Sequence, residues 1–247
     1  MREESAFGHP HRHYARTDST NTRARELAAA GAPHGTVVTA GEQSEGRGRQ
    51  GRSWTAAAGK ALLYSAILRP LDQHDALLPL TVPLAVCEAA EELEAGIECG
   101  VKWPNDVLVD GRKLAGVLIE ARPQDGWAVI GVGLNLTISP EEFPPELRET
   151  ATSLHGESVR DNDRTGTRTA NAAGEVLSRR LDWWLGTDQG TVLETWRERD
   201  VLRGRAIRWE GGSGVAAGID DRGYLLVVVP GGERIAVGAG EIHLTLT

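Results

Sequence analysis

Between residues 98 and 135 the chain alternates short apolar runs with turn sequences, a pattern that leaves few folds open to it. The apolar runs cover residues 98–102, 106–109, 114–121 and 127–135. Asp110-Gly111 separates the second run from the third, and the turn sequence at 123–126 separates the third from the fourth. Strands joined by such short turns run in opposite directions. The pattern therefore predicts a β-meander in a sheet that is at least partly antiparallel.

The remaining elements follow from apolar periodicity and from turn residues. Helices are predicted from near Thr20 to a stop at Gly31, at 77–93, at 173–185 and around 192–196, and strands at 36–40 and 62–68. The stretch at 155–168 is polar and predicts an exposed connector. After residue 200, strands at 205–209, 214–219, 224–229, 233–237 and 241–246 predict a small barrel. We divide the chain into a flexible N-terminus (1–16), a main domain (17–199) and a small C-terminal domain (200–247).

Residues 42–54 form a segment rich in glycine and arginine, Glu-Gln-Ser-Glu-Gly-Arg-Gly-Arg-Gln-Gly-Arg-Ser-Trp. Its glycines let a ligand approach the main chain closely. The guanidinium groups of Arg47, Arg49 and Arg52 are planar donors suited to carboxylate or phosphate, and Trp54 offers a flat surface for stacking. The formal net charge of −8 argues against a general affinity for nucleic acid. The segment predicts a local site for a small anionic ligand.

Four polar residues, Lys102, Asn105, Asp106 and Lys113, lie at the ends of adjacent predicted strands. Side chains placed in this way can converge on one cleft. Taken singly, Lys113 also suits a solvated lysine after a turn, and Asp106 suits a turn residue equally well.

The last strand of the meander carries glycine at two alternate positions, Gly131 and Gly133. Two glycines on one face of a strand indicate that another group approaches it closely, although a plain close-packed strand remains an alternative. Asn135, with a donor and an acceptor on its amide, is a candidate for contact with a nucleobase edge.

Composition indicates a chain of the reducing cytoplasm. Cys87 and Cys99 are the only cysteines, which is too few for a disulfide framework, and we expect both to be buried. No apolar segment reaches membrane-spanning length. His9, His11 and His13 alternate along the N-terminal segment, and without a second ligand cluster we interpret them as part of a flexible terminus.

Five segments together resemble biotin protein ligases in order and in spacing. They are Ser19-Thr20-Asn21, Gln43 to Trp54, Lys102 to Asp106, Lys113 to Gly116, and Gly131 to Asn135. The resemblance covers roughly residues 17–155, and the barrel-like tail is similar to the C-terminal domain of that family. It implies an α+β fold of the class II aminoacyl-tRNA synthetase-like, biotinyl-lipoyl ligase type. The expected architecture is a mixed, largely antiparallel sheet flanked by helices, followed by a small SH3-like barrel.

The resemblance also implies a two-step reaction. Biotin and ATP would give biotinyl-5'-AMP and pyrophosphate, with Arg47, Arg49 and Lys113 as the catalytic cations. The implied biotin-binding residues are Ser19, Thr20, Asn21, Gln43, Arg47, Gly48, Arg49, Lys113 and Gly116. The implied ATP- and adenylate-binding residues are Arg49, Arg52, Trp54, Lys102, Asn105, Asp106, Lys113 and Asn135. Mg²⁺ is expected with the ATP phosphates, coordinated mainly by phosphate oxygens and water rather than by protein side chains.

The implied partner is a biotin carboxyl carrier protein domain of an acyl-CoA carboxylase, whose lysine receives the biotinyl group. Only 17 residues, most of them polar, precede Asp18, so the resemblance is to the short, monofunctional ligases and DNA binding is not expected. A homodimer stays open. The alternatives are a lipoate protein ligase, a biotin-binding regulator without catalysis and a nucleic-acid-binding module. The sequences Gly-Arg-Gly-Arg-Gln-Gly-Arg and Lys-Trp-Pro-Asn-Asp favour biotin over lipoate.

Overall fold

The computed structural model describes residues 6–71, 76–155, 166–238 and 243–244. Its helices are α1 (Thr20–Ala29), α2 (Leu78–Leu93), α3 (Gly166–Leu185) and α4 (Gln189–Glu198). The strands of the larger sheet are β1 (His11–Tyr14), β2 (Val37–Ala40), β3 (Ala61–Leu68), β4 (Cys99–Lys102), β5 (Asp106–Val109), β6 (Arg112–Arg122) and β7 (Trp127–Asn135). The strands of the smaller sheet are β8 (Ala206–Trp209), β9 (Gly212–Ile219), β10 (Leu225–Val228), β11 (Arg234–Val237) and β12 (His243–Leu244). Among the described helices, none combines the length and the apolar character needed to cross a membrane.

The larger sheet has the strand order β1-β2-β3-β7-β6-β5-β4. β1 and β2 are parallel, and each of the other neighbouring pairs is antiparallel. The four strands β4 to β7 follow one another along the chain and lie side by side. This arrangement confirms the meander predicted between residues 98 and 135, and with it the mixed, largely antiparallel sheet.

Helices cover both faces of this sheet, which explains why every residue of β3 is buried. α1 packs Ala24 and Ala28 against Val38, Ile67 and Val129 on one face. α2 and α3 pack on the other face within the main apolar core. The small side chains along α1 let its backbone approach the sheet closely, so the polar residues at its N-terminus lie directly over the strands.

Other buried groups agree with the sequence-based predictions. Cys87 and Cys99 are 0% and 5% exposed, and both are free thiols. Trp184 on α3 and Trp196 on α4 are almost fully buried.

The N-terminal segment differs from the prediction of a flexible terminus over residues 1–16. His11–Tyr14 form the edge strand β1, in register with residues 37–40 of β2. The His11 Nε2 and His13 Nδ1 atoms lie 2.7 Å and 3.0 Å from the Thr39 hydroxyl oxygen. The prediction is therefore wrong for these four residues. Because three of the four are exposed, the strand lacks the apolar alternation by which strands are recognised in a sequence.

The smaller sheet is antiparallel with the order β11-β10-β9-β8-β12. It confirms the small all-β unit predicted after residue 200. Of the strand predicted at 241–246, only residues 243–244 lie within the described part of the chain. Most of the connector predicted at 155–168 also lies outside the described residues.

Hydrogen bonds connect the region of β4 to the turn between β9 and β10 and to the segment that follows α4. The Trp103 indole N–H donates to the Gly223 carbonyl oxygen at 3.0 Å. The Val101 N–H donates to the Arg199 carbonyl oxygen at 2.7 Å, and the Val201 N–H donates back to the Val101 carbonyl oxygen at 3.1 Å. The chain leaving α4 thus runs along the edge strand β4, and the smaller sheet lies beside the segment 102–106.

Candidate functional site

The floor of the candidate site is the face of the larger sheet that carries α1. Ser65 on β3 pairs with Gly131 on β7, and Gly133 on β7 pairs with Gly116 on β6. A methyl group added at Gly131 would lie 2.1 Å from the Asn21 side-chain oxygen, and one added at Gly133 would lie 2.4 Å from the Trp54 ring. Real side-chain carbons do not approach other atoms so closely. The prediction that other groups approach this strand closely is confirmed, and those groups are Asn21 and Trp54.

A hydrogen-bonded network occupies the start of α1. The Gln43 side-chain oxygen accepts from the Thr20 N–H at 2.7 Å and from the Thr20 hydroxyl at 3.0 Å. The Ser65 hydroxyl lies 2.8 Å from the Thr20 hydroxyl oxygen and 2.6 Å from the Asn21 side-chain oxygen. Ser19, Thr20 and Asn21 are each buried. Thr20, Asn21 and Gln43, three of the implied biotin-binding residues, therefore share one set of hydrogen bonds.

Asp18 precedes this network and fixes the start of α1. Its carboxylate accepts two hydrogen bonds from Arg23, at 3.0 Å and 2.6 Å, and one from the Ser19 N–H at 2.6 Å. The hydrogen bonds from Arg23 are the main cause that lowers the pKa of Asp18 to about 2. The carboxylate thus stays charged beside the helix N-terminus, where negative charge is favourable.

The depressed pKa of Asp18 predicts a pH-dependent contribution to stability. Because the folded-state pKa lies below the ordinary value of 3.8, the contribution is complete above about pH 4 and is lost as the pH falls through 2. We expect Asp18→Asn to lower the free energy of unfolding by roughly 1 kcal/mol at pH 6, since the pair is partly exposed and screened. The difference from the wild type should shrink in urea unfolding curves recorded near pH 2. A difference that stays constant with pH would contradict the role of the charge.

The arginine-rich loop folds back on itself between β2 and β3. The Trp54 N–H donates to the Gly46 carbonyl oxygen at 2.9 Å, and the Gly48 N–H donates to the Arg52 carbonyl oxygen at 2.7 Å. At the tip, Gln50 and Gly51 have φ values of 54° and 74°. This left-handed region favours glycine, so Gly51 lets the loop turn sharply.

The three arginines of the loop face different groups. Arg47 Nη1 lies 3.0 Å from a carboxylate oxygen of Glu120 on β6. Arg49 is half-buried, and its burial together with the neighbouring charge of Arg52 lowers the pKa of its guanidinium. Arg52 faces the start of α1 across the first cavity described below. The loop thus brings three guanidinium groups to this part of the molecule, one of them paired with Glu120.

Lys113 lies at the centre of the site. Its ammonium is 2.7 Å from Asp106 Oδ1 and 5.8 Å from the centroid of the Trp54 ring. Arg49 lines a cavity together with Asn105, the neighbour of Asp106, so Arg49 and Lys113 lie near the same strand end. Since Asp106 pairs with Gly116 across β5 and β6, two strand ends and the loop meet here, as the sequence predicts.

Two further predicted residues hold backbone segments of the site, and a third lies opposite Asp106. The Asn105 amide donates to the Val117 carbonyl oxygen at 2.8 Å, and the buried Asn135 amide donates to the Thr152 carbonyl oxygen at 2.9 Å. Lys102 lies opposite Asp106 in the β4–β5 register. The nucleotide contacts expected of these residues stay predictions. In this structure, the two amide N–H groups hold β6 and the segment after β7.

Two cavities flank the loop and give small molecules access to these groups. One of about 350 Å³ lies between the loop and α1 and is lined in part by Asp18, Ser19, Arg47 and Arg52. The other, of about 340 Å³, lies beyond Arg49. Its lining includes Arg49, Trp103, Asn105, Leu118 and Tyr224. Arginine side chains line both cavities, so each offers a cation to an anionic ligand.

Sequence reasoning missed two residues of the site, Ser65 and Glu120. Ser65 is fully buried under α1. It is the single serine in β3, whose other residues are aliphatic or aromatic. Glu120 faces α1 from within β6 and contacts both Arg47 and Asn21. A polar residue inside an apolar strand is the signal that would have identified both.

Comparisons with known proteins agree with this geometry. Residues 14–136 match the Biotin/lipoate A/B protein ligase family, and residues 203–244 match the Biotin protein ligase C terminal domain. A biotin-[acetyl-CoA-carboxylase] ligase of Mycobacterium tuberculosis is 40% identical over 243 residues, covering 93% of this chain and 87% of that protein. A protein of the same name from Paracoccus denitrificans is 32% identical over 249 residues, covering 92% and 98% respectively.

A solved structure shares the whole architecture. The biotin protein ligase from Aquifex aeolicus in complex with biotin and ATP has a TM-score of 0.77 and 28% identity, and the match covers 96% of this chain and 99% of that one. Identity, coverage and architecture thus lead to one conclusion: the chain belongs to the Biotin/lipoate A/B protein ligase family.

Proposed function

We propose that this chain is a biotin protein ligase that forms biotinyl-5'-AMP from biotin and ATP and transfers the biotinyl group to a lysine of a carrier protein. The observation that carries the proposal is the Lys113–Asp106 pair, which lies next to a cavity lined by Arg49 and Asn105 and accompanies a hydrogen-bonded network at the start of α1. Relatives named for this activity over most of the chain support it.

In the first step a carboxylate oxygen of biotin attacks the α-phosphorus of ATP. The new bond joins oxygen to phosphorus, the bond to the bridging oxygen of the β-phosphate breaks, and pyrophosphate leaves. Both reactants are anions, so the barrier falls when fixed positive charge lies between them. We assign this role to Arg47, Arg49 and Lys113, which the sheet and the loop hold at fixed positions.

The neutral groups at the start of α1 suit the ureido ring of biotin. That ring has both N–H donors and a carbonyl acceptor, and each needs a partner once it is buried, since an unpaired buried group costs about 1–3 kcal/mol. We assign Ser19, Thr20, Asn21 and Gln43 to this recognition, with Gly48 and Gly116 letting the ligand lie close to the backbone. An apolar lipoyl ring would leave these polar groups unpaired, which favours biotin over lipoate.

The nucleotide would lie on the other side of Lys113. We assign Trp54 to stacking, Arg52 to the phosphates, and Lys102, Asn105, Asp106 and Asn135 to the support of this half of the site. In the second step the amine of the carrier lysine attacks the acyl carbon and AMP leaves. The mixed anhydride must be kept from water until the carrier arrives, and the loop over the site suits that purpose.

Mg²⁺ would accompany ATP. Within the described residues, no group of three or more His, Cys, Asp or Glu side chains is arranged to hold a metal ion. We therefore propose that phosphate oxygens and water supply the ligands of the cation, as in many ATP sites. When bound, the cation would neutralise the departing pyrophosphate.

We expect the partner to be a biotin carboxyl carrier domain of an acyl-CoA carboxylase, met in the cytoplasm. A homodimer also stays a prediction. β1 is the edge strand of the larger sheet, where a second copy would pair.

The decisive experiment is the transfer of radiolabelled biotin to a purified carrier domain, with and without ATP. Label should enter the carrier only when ATP is present. Radiolabelled lipoate in place of biotin tests the lipoate ligase alternative. Pyrophosphate release with biotin and ATP alone separates a ligase from a non-catalytic biotin-binding protein. No release and no transfer would refute the proposal.

A further inference from the structure

A single carboxylate in the site, Glu120, receives hydrogen bonds from three residues, two on α1 and one on the loop. Arg47 of the loop lies 3.0 Å from its Oε1 atom, and the Asn21 amide of α1 donates to its Oε2 atom at 2.9 Å. Arg25 of α1 lies 3.4 Å from Oε1. The Glu120 side chain is only 21% exposed. Glu120 is thus the point where the loop, α1 and β6 are held together.

These contacts close a ring of hydrogen bonds around the site. From Gln43 the ring passes through Thr20, Ser65 and Asn21 to Glu120, and Arg47 returns it to the segment that contains Gln43. Without Glu120, the Asn21 amide would lose its short side-chain acceptor and Arg47 would lose its anchor. The other members of the ring would keep their own contacts.

We propose that Glu120 is a positioning residue for biotin, acting through Asn21 and Arg47; this inference rests on the proposed function. An amide group can be reversed with little change in shape. Glu120 accepts from the amide nitrogen while the amide oxygen lies 2.6 Å from the Ser65 hydroxyl. Glu120 and Ser65 together thus fix which way the Asn21 amide is turned. This orientation sets the donor and acceptor pattern presented to the ligand.

The identity of the residue follows from its partners. Asn21 donates through its amide nitrogen, and Arg47 and Arg25 have only donors. A carboxylate offers two accepting oxygens and no donor, and so satisfies all of them. A glutamine has the same shape, but its amide nitrogen would face another donor. Glu120→Gln therefore removes the positioning contact with minimal change in volume.

The test compares Glu120→Gln with a matched control, Glu92→Gln. Glu92 also accepts from two arginines, Arg179 and Arg180, but it lies on α2 away from the site. For Glu120→Gln we expect the KM for biotin in pyrophosphate release to rise by about 10- to 100-fold, as for the loss of hydrogen bonds to charged groups. The KM for ATP should change by less than about threefold. Glu92→Gln should leave both values unchanged.

Two further measurements separate positioning from a merely structural role. Glu120→Asp keeps the charge on a side chain shorter by one methylene, so we expect it to restore part of the biotin affinity lost in Glu120→Gln. In a protein that already carries Arg47→Ala, Glu120→Gln should raise the KM for biotin by a smaller factor than it does in the wild type, because the two residues act through one contact. Glu120→Gln and Glu120→Asp should each keep a wild-type circular dichroism spectrum.

Equilibrium binding of biotin by calorimetry does not require turnover and so tests the inference apart from the proposed function. A wild-type protein that neither binds biotin nor releases pyrophosphate would refute the proposed function. An active wild type whose Glu120→Gln variant binds biotin normally would overturn the role of Glu120 alone. A rise of equal size in the KM values for biotin and ATP would overturn it as well.

Discussion

Replacing Lys113 with alanine should reduce the turnover number for pyrophosphate release by about 100- to 1000-fold, the usual effect of removing one group that stabilises transition-state charge. The Lys113 ammonium is 2.7 Å from Asp106, and without it that carboxylate would repel both anionic reactants. A coupled pyrophosphate assay with saturating biotin and ATP measures the loss. The melting temperature should change little, because a partly exposed ion pair contributes at most about 1 kcal/mol.

Lys60→Ala is the matched control for this experiment. Lys60 also pairs with a carboxylate, that of Glu142, and its side chain is 37% exposed against 34% for Lys113. Its removal should leave pyrophosphate release at the wild-type rate. Unchanged release by Lys113→Ala would show that this lysine does not take part in adenylate formation.

Replacing Gly133 with alanine should weaken ATP binding by displacing Trp54. The added methyl group would lie 2.4 Å from an atom of the Trp54 ring, and overpacking of this kind costs about 1–3 kcal/mol. If Trp54 stacks on the nucleotide, that cost corresponds to a rise in the KM for ATP of about 5- to 150-fold. The KM for biotin should rise less, because the Thr20 and Gln43 contacts do not involve Trp54. Steady-state kinetics with each substrate varied in turn gives both values.

Gly174→Ala on α3 is the corresponding control. There the added methyl group would meet only Leu62 at 3.7 Å, an ordinary van der Waals contact, and alanine favours a helix. This variant should be as active as the wild type. A KM for ATP that is unchanged in Gly133→Ala would contradict the assignment of Trp54 to the nucleotide.

Much of the fold could be predicted because its elements leave local signatures. Apolar runs separated by turn sequences identified β4 to β7, and the spacing of apolar residues identified α1 to α4. The edge strand β1 was missed because its pairing depends on backbone groups of β2 and on Thr39. These partners are distant in the chain, and the exposed side chains of β1 do not form a sequence pattern that indicates the pairing.

Some residues of the candidate site could likewise be recognised from the sequence, and others only from the structure. Motif residues such as Arg49 and Lys113 were recognised from their types and order. The structure pairs Lys113 with Asp106 and places Arg49 on a cavity beside Asn105. Glu120 was missed because its role depends on the three segments that meet at its carboxylate. Likewise, the amide nitrogens of Asn105 and Asn135 bond to backbone carbonyl oxygens, a contact that residue type alone does not reveal.

The amino-acid sequence by itself determined the kinds of elements present, the residue types available for binding anions, and the need for space at Gly131 and Gly133. Only the tertiary structure decided that Asn21 and Trp54 fill that space, and that Glu120 connects the loop to α1. The reason is physical: periodicity and turn chemistry act between neighbours along the chain, whereas the directions of hydrogen bonds and the contacts of side chains depend on strands and helices brought together from distant positions.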